Sequence, residues 1–254
     1  MAILTVVPGT NAIQNAVNTA TSGDVILVKD GVYNESVTIN NTKNNIRIVA
    51  ERNRAFLNGD NTLSTAFTLT SGVTGVEING FNISRYMEDG IEINGSFNLI
   101  TRNTITNVNG DGIDIESGNG NLILGNTIQN IGDNTASSGI EISADSNWFV
   151  NNTVRGNFNR GIAVFSNSNG VIGNQIFNNN GTGIQVNNDF NIIERNTVRG
   201  NRNNGLVLSI GANDNFIFRN TISNNRPNNI LNNGIDNNFL QNNSSNHNEN
   251  DCFG

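Results

Sequence analysis

A glycine followed by a short isoleucine-rich segment recurs along the chain and constrains the fold more than any other feature. The segment reads GIEI, GIDI, GIEI, GIAV, GIQV, GLVL and GIDN in its seven copies. The copies begin at Gly90, Gly112, Gly139, Gly161, Gly183, Gly205 and Gly234. Four of the six steps between them are 22 residues long. One copy cannot bury its own apolar face, so stacked copies must share a continuous core.

A second segment follows the first six copies after a turn, and both segments keep the same order in every unit. It reads NLITRNTI at 98–105 and NFIFRNTI at 215–222. Apolar residues alternate with polar ones in the two segments, which is the period of a strand. A unit of this length with two or three strands predicts one rung of a parallel β-helix, with rungs about 4.8 Å apart. The competing leucine-rich-repeat solenoid would need a set leucine pattern, whereas Ile and Val dominate here.

The repeat assigns structural roles to three columns of residues. Two aliphatic columns are predicted to face inward, namely Ile100, Ile123, Phe149, Val171, Ile193, Ile217 and Leu240, and Ile105, Ile128, Val154, Ile176, Val198 and Ile222. Between them runs a column of asparagines, namely Asn103, Asn126, Asn152, Asn174, Asn196, Asn220 and Asn243. Buried amides are tolerated only when they are hydrogen-bonded, so we interpret the asparagines as a structural ladder.

The two ends of the repeat need covers, because an open sheet edge invites pairing with other chains. Residues 11–20 place Ile13, Ala16, Val17 and Ala20 on one helical face, which predicts an amphipathic cap helix. Residues 245–254 have no periodicity and are predicted to form a tail, or a cap containing Cys252 and Phe253. No linker composition interrupts the chain, so we expect a single domain over 1–254.

Composition excludes several classes of function. The net charge of -7 and the sequence pI near 4.6 argue against a nucleic-acid partner. The single histidine, His247, argues against a His-based triad or a multi-His zinc site, and the single cysteine leaves no intramolecular disulfide. No apolar run has the length of a membrane span, and the first residues lack the features of a signal peptide.

The opening SGDVILVKDGVYNESVTI and the NGI and NNxIxxNTI-type rungs resemble the right-handed parallel β-helix proteins of the pectate-lyase-like superfamily. The resemblance extends over nearly the whole chain. It implies an all-β, right-handed, single-stranded parallel β-helix with a polysaccharide-acting surface on one flank. It also implies acids that hold calcium, an Arg or Lys base, and an extracellular or cell-surface location. The DPH motif of mannuronan epimerases and the polygalacturonase motif set are absent.

Acidic residues converge on the outward side of three successive rungs. The group consists of Asp89, Glu92, Asp111, Asp114, Glu116 and Glu141. Like charges on neighbouring strands are destabilising, by about 1 kcal/mol per pair in water. Three explanations stay open: a calcium ion neutralises the group, some carboxyls remain protonated, or the acids are exposed and screened by salt.

Several neighbours of the acids are candidates for a site. The insertion GDNTAS at 132–137 would form a groove wall, and Arg85 and Tyr86 are predicted to lie at the same rim. Arg160 follows one rung later, either as a base by family analogy or as an ion-pair partner of the acids, because arginine normally stays protonated. We assign catalytic roles to Arg160 and Glu141, substrate contacts to Arg85, Tyr86 and Phe165, and calcium ligation to Asp89, Glu92, Asp111, Asp114 and Glu116.

A further flank of the rungs is apolar and partly basic. Its apolar residues are Leu99, Leu122, Trp148, Ile192, Phe216 and Phe239, with Leu124, Val150, Ile172 and Phe218 two positions on. Strict alternation cannot bury all of these columns, so an exposed stripe is expected that would form a homo-oligomer interface or stack sugar rings. Five arginines flank it and would attract an anionic polymer, namely Arg102, Arg155, Arg195, Arg199 and Arg219.

Three functions are compatible with these features. The first is a calcium-assisted lyase or epimerase acting on acidic polysaccharide. The second is a polysaccharide-binding module without catalysis. The third is a structural surface protein that oligomerises through its apolar flank. The sequence favours a carbohydrate-related role and leaves enzymatic activity undecided.

Overall fold

The computed structural model describes residues 1–133 and 137–244 and the backbone of 247–249. The chain winds into a right-handed solenoid of three parallel sheets, which confirms the predicted β-helix. From residue 25 onward each rung contributes one strand to each sheet in the order A, B, C, as Leu99–Thr101, Thr104–Thr106 and Ile113–Ile115 illustrate. Among the described residues, no helix is long and apolar enough to cross a membrane.

In the described part of the chain, sheet A contains eleven strands. They are β1 (Ile3–Val6), β2 (Val25–Val28), β5 (Arg47–Ala50), β8 (Glu77–Asn79), β11 (Leu99–Thr101), β14 (Leu122–Leu124), β17 (Trp148–Val150), β20 (Gly170–Ile172), β23 (Ile192–Glu194), β26 (Phe216–Phe218) and β29 (Asn238–Leu240). β1 pairs with β2 and adds one strand to sheet A before the rung that begins with β2.

Among the described residues, sheets B and C contain ten strands each. Sheet B consists of β3 (Gly31–Tyr33), β6 (Ala55–Asn58), β9 (Asn82–Ser84), β12 (Thr104–Thr106), β15 (Thr127–Gln129), β18 (Thr153–Arg155), β21 (Gln175–Phe177), β24 (Thr197–Arg199), β27 (Thr221–Ser223) and β30 (Asn243–Ser244). Sheet C consists of β4 (Val37–Ile39), β7 (Phe67–Leu69), β10 (Ile91–Ile93), β13 (Ile113–Ile115), β16 (Ser138–Ile142), β19 (Arg160–Val164), β22 (Ile184–Val186), β25 (Leu206–Leu208), β28 (Ile230–Asn232) and β31 (His247–Glu249).

The glycine that opens each GIxI segment is required by close packing between rungs. A Cβ on Gly112 would lie 2.5 Å from the carbonyl oxygen of Gly139 and 2.5 Å from Cγ2 of Ile128. Gly90 and Gly161 have the same environment one rung before and two rungs after. After each of the first six glycines strand alternation places an Ile or Leu in the core and directs the next residue outward, whereas Gly234 lies between strands and Ile235 is 67% exposed.

The corner between sheets A and B is held by the asparagine column. Asn126 Nδ2 donates to Asn152 Oδ1 at 3.1 Å and to the carbonyl oxygen of Ile100 at 2.9 Å. At the C-terminal end the next bonded member is Asn242, which accepts from Asn220, whereas the sequence predicted Asn243. Phe239 likewise pairs with Ile217 in the inward column in place of the predicted Leu240.

Asparagines also line the other two corners, which the sequence analysis did not identify. The corner between sheets C and A carries Asn98, Asn121, Asn147, Asn169, Asn191, Asn215 and Asn237. The corner between sheets B and C carries Asn157, Asn179, Asn201 and Asn225. In each case a side-chain oxygen accepts a backbone N–H from the preceding rung, so the rungs are tied together at all three corners.

Helix α1 (Ala12–Thr19) covers the N-terminal end and buries Ile13 and Val17, as predicted. The carboxylate of Glu35, itself buried, accepts the backbone N–H groups of Ile13 at 3.1 Å and Gln14 at 2.9 Å. A short 3₁₀ helix follows β5 at Glu51–Asn53. At the other end, residues 247–249 continue sheet C, within the stretch predicted as tail or cap; Cys252 and Phe253 lie outside the described residues.

Candidate functional site

The outward acids of sheet C stand in register on consecutive strands. Glu92 pairs with Asp114, and Asp114 pairs with Glu141. The column ends at Ala163, which lies opposite Glu141 on the next rung. The flanking isoleucines are fully buried, so alternation directs all three carboxylates to the outer face of the sheet.

The acids before the glycines are fixed by the backbone of the following rung. Asp89 Oδ1 accepts the backbone N–H of Asp111 at 2.7 Å. Asp111 Oδ1 in turn accepts the backbone N–H of Ser138 in a short hydrogen bond. These bonds hold the carboxylates of Asp89 and Asp111 beside the outward column, at the end where the strands begin.

Three of the acids form a compact group. One carboxylate oxygen from each of Asp111, Asp114 and Glu141 lies within 4.8 Å of the other two. Asp114 is buried, and the Ser138 hydroxyl donates to Glu141 Oε2 at 3.3 Å. Hard cations such as calcium take carboxylate oxygens in flexible geometry, so the donor set fits calcium. We call this group the carboxylate triad.

Burial makes the charged form of these acids unfavourable. Desolvation raises the pKa of Asp89 to about 6, of Asp111 to about 7 and of Asp114 to about 8. These pKa values include the raising effect of neighbouring carboxylates and, for Asp89 and Asp111, the lowering effect of the hydrogen bonds that they accept. Burial also raises the pKa of Glu141, against the opposing effect of Arg160.

Of the other three predicted ligands, Asp89 is described above, and Glu92 and Glu116 lie beside the triad. Glu92 accepts from Asn94 Nδ2 at 2.7 Å and from the Thr68 hydroxyl at 3.4 Å, which satisfies its oxygens in part. Glu116 is exposed just beyond the end of its strand. The charge of Glu116 still raises the pKa of Asp114.

Arg160 contacts side chains on its own rung and on the next rung of sheet C. Its Nε donates to Gln185 Oε1 at 3.0 Å, and its guanidinium lies 5.6 Å from the centre of the Phe165 ring. Its charge nevertheless lowers the pKa values of Asp111 and Glu141. Arg160 and Phe165 therefore form one unit on the rung after the triad.

The predicted rim residues Arg85 and Tyr86 do not form a substrate surface together. Tyr86 is fully buried and its hydroxyl donates to the carbonyl oxygen of Glu35 at 2.6 Å, so its prediction as a substrate contact was wrong. Arg85 forms an ion pair with Asp60 at 2.9 Å. Tyr86 faces inward because its position in the repeat is that of the buried Asn157 and Asn179.

Ser138 and Gln185 belong to the site but were missed from the sequence. Ser138 has the same position in its rung as Asp111 has in the rung before. An alignment of the repeats could therefore have identified Ser138 as a neighbour of the acids. Gln185 follows Ala163 in the outward column, and its hydrogen bond with Arg160 links two neighbouring rungs. The wall predicted at 132–137 includes residues 134–136, which lie outside the described residues.

The outer face of sheet A carries the apolar stripe. Trp148 is 42% exposed and Phe216 is 50% exposed, whereas Leu122 and Ile192 are half-buried. Phe239 was predicted on this stripe but faces inward, and Leu240 is the exposed residue. A homo-oligomer interface at this face stays a prediction.

A comparison with known protein families matches residues 89–250 to the family described as the right handed beta helix region. The chain belongs to this family, which agrees with the three stacked sheets and the repeated asparagine corners. No curated protein sequence matches the chain significantly.

Solved structures with the same fold share little sequence with the chain. Pectate lyase Pel9A is 18% identical with a TM-score of 0.74, over 89% of this chain and 70% of that one. An alginate lyase from Paenibacillus sp. str. FPU-7 is 16% identical with a TM-score of 0.61, over 96% and 99%. Tailspike protein gp49 of Acinetobacter baumannii bacteriophage Fri1, a capsular polysaccharide depolymerase, is 11% identical with a TM-score of 0.65, over 94% and 61%. At these identities the likeness establishes the fold.

Proposed function

We propose that the protein binds acidic polysaccharide on the outer face of sheet C, with calcium held by the carboxylate triad. The observation that carries the proposal is the approach of three carboxylate oxygens to within 4.8 Å of one another. Such a group is costly unless a cation or protons neutralise it. Similarity in fold to pectate lyase, alginate lyase and a polysaccharide depolymerase supports the ligand class.

The triad supplies three ligands, and Asp89, Glu92 and Glu116 are close enough in the repeat to add charge or further oxygens. Calcium takes six to eight oxygens, so a polysaccharide carboxylate and water would complete the shell. The sheet also offers the positive charge of Arg160, held by Gln185 and the Phe165 ring. A uronate chain lying along sheet C would meet the triad first and Arg160 one rung later.

Lyase or epimerase chemistry is the catalytic form of this proposal. Both reactions begin with removal of the proton next to the uronate carboxylate, and bound calcium would make that proton more acidic. In this form Glu141 would act as the base and would leave the calcium to Asp111, Asp114 and the neighbouring acids, because a carboxylate bound to calcium cannot also accept the proton; burial raises the pKa of Glu141. Arg160 stays charged and would orient the uronate carboxylate.

The formation of unsaturated uronate on a panel of pectate and alginate substrates, with calcium and with chelator, tests the catalytic form. Calcium-dependent product that is lost in Glu141→Gln supports a lyase. Calcium-dependent binding without product, together with an unchanged uronate composition, supports a binding module. Absence of both binding and product contradicts the proposal.

The exposed stripe on sheet A favours a second candidate, a structural protein that oligomerises. Trp148 and Phe216 leave about half of their surfaces in solvent. Exposed apolar stripes of this kind mark interfaces. A concentration-dependent mass in analytical ultracentrifugation that is lost in Trp148→Ser plus Phe216→Ser would support it, and a monomer at all concentrations would exclude it.

A further inference from the structure

The outer face of sheet B carries a basic and aromatic cluster, on a different sheet from the triad. Arg155 pairs in register with Phe177, and Phe177 pairs with Arg199 on the next strand. The Arg155 guanidinium lies 5.9 Å from the centre of the Phe177 ring, and that of Arg199 lies 4.7 Å from it. The ring therefore lies between two cations, one on the preceding rung and one on the following rung.

Charge is segregated between the faces of the solenoid. The strands of sheet B, β3 to β30, contain no Asp or Glu, whereas the triad and Glu92 lie on or beside strands of sheet C. Both arginines are exposed, and no acidic side chain in the described part of the chain forms an ion pair with them. In a protein with a net charge of -7, this face is a local site of positive potential.

The cluster borders a depression of about 320 Å³ in the same face. It is lined by Gln129, Asn130, Arg155, Gly156, Phe177 and Asn178. The amide side chains offer donors and acceptors for hydroxyl groups, and the guanidinium offers a fork of donors for a planar anion. Stacking on Phe177 restricts both guanidinium groups before any ligand binds, which lowers the entropy lost on binding.

We propose that this face of sheet B is a second, calcium-independent binding site for an anionic glycan. Arg155 and Arg199 would contact carboxylate or sulfate groups of the chain, and the amides of Gln129, Asn130 and Asn178 would contact its hydroxyls. The two arginines lie two rungs apart, about 10 Å, so one extended chain running along the solenoid axis reaches both. The site stands independently of calcium binding at sheet C.

The test measures the affinity of oligogalacturonate and of a sulfated oligosaccharide by calorimetry, in chelator and at low salt. The variant is Arg155→Gln plus Arg199→Gln. The matched control is Arg52→Gln plus Arg54→Gln, which removes two exposed positive charges elsewhere. A neutral oligosaccharide of the same length serves as the ligand control, and the unfolding temperature of each variant verifies its fold.

We expect at least about a tenfold loss of affinity for one or both anionic probes in the sheet B variant, and less than about a twofold change in the control. Asp111→Asn plus Asp114→Asn should bind like the wild type in chelator, which separates this site from the triad. Equal affinity of the sheet B variant and the wild type would overturn the proposal. So would a lack of wild-type binding to both anionic probes, or tighter binding of a single-stranded oligonucleotide of matched charge.

Discussion

At the scale of single residues, the acids of sheet C show how the fold sets proton affinity. Asp114 is buried between two other carboxylates, and its pKa rises to about 8. An acid whose pKa is higher in the folded state binds more protons there than in the unfolded chain. The folded state therefore loses stability as pH rises from about 4 to about 8.

The first prediction concerns pH in the absence of metal. We expect the free energy of unfolding in chelator to fall steadily from pH 5 to pH 8, as Asp89, Asp111 and Asp114 lose protons around pKa values of about 6, 7 and 8. Urea denaturation across this range measures the slope. A free energy of unfolding that rises over the same range would contradict the interpretation that ionisation of these buried acids destabilises the folded state.

The second prediction removes the most perturbed charge. Asp114→Asn should stabilise the protein on the order of 2 kcal/mol at pH 8 in chelator, and by much less at pH 5. Asp236→Asn, at an exposed position in the corner between sheets C and A, provides the control and should change little. Equal effects of the two substitutions at pH 8 would show that the charge of Asp114 does not destabilise the folded state.

The third prediction concerns the asparagine column at the corner between sheets A and B. Asn152 Nδ2 donates to Asn174 Oδ1 at 3.0 Å and to the carbonyl oxygen of Ile123 at 2.9 Å. Asn152→Ala removes the donor to the buried Ile123 carbonyl oxygen and the acceptor of the Asn126 backbone N–H, and should cost about 3 kcal/mol. Exposed Asn41→Ala should cost less than about 0.5 kcal/mol. Chemical denaturation compares the two.

At the scale of elements, the N-terminal helix depends on an acid from the first rung. Glu35 accepts two backbone N–H groups at the start of α1, where the helix has unsatisfied donors and positive partial charge. The fourth prediction is that Glu35→Ala costs about 2 kcal/mol and Glu35→Gln about half of that. Faster exchange of the Ile13 and Gln14 amide hydrogens in both variants would locate the effect; unchanged exchange would exclude the capping role.

The strands and their stacking could be predicted because the glycine and the alternating isoleucines recur with the rung. The registers of the strands at the C-terminal end could not be predicted in this way. Asn237 and Asn238 are adjacent, and either residue can begin the segment by pattern alone. The structure fixes the choice through Asn237 Oδ1, which accepts the backbone N–H of Asn215 at 2.9 Å.

Part of the site was likewise predictable from the repeat. The positions of Asp111, Asp114 and Glu141 in neighbouring units indicated that their carboxylates would be close, and the structure brings them together. The orientation of Arg160 towards Gln185 depends on side-chain packing that no period encodes. Tyr86 lies in a corner between two strands, where strand alternation does not predict which side chains are buried.

At the scale of the whole molecule, the solenoid presents three faces of different chemistry. Sheet C carries the acids, sheet B carries Arg155 and Arg199, and sheet A carries the apolar stripe with Trp148. Each face is flat and continuous because the rungs repeat in register. A long polymer can therefore lie along the axis on one face without obstructing the other two.

The measurement that tests the central claim most directly is a calorimetric titration of calcium into the whole protein at pH 8, with Asp114→Asn and Asp236→Asn alongside. We predict one calcium ion per chain in the wild type and in Asp236→Asn, with protons released on binding because the triad is partly protonated in the apo protein. Binding should be lost in Asp114→Asn. No calcium binding by the wild type, or unchanged binding by Asp114→Asn, would contradict the account.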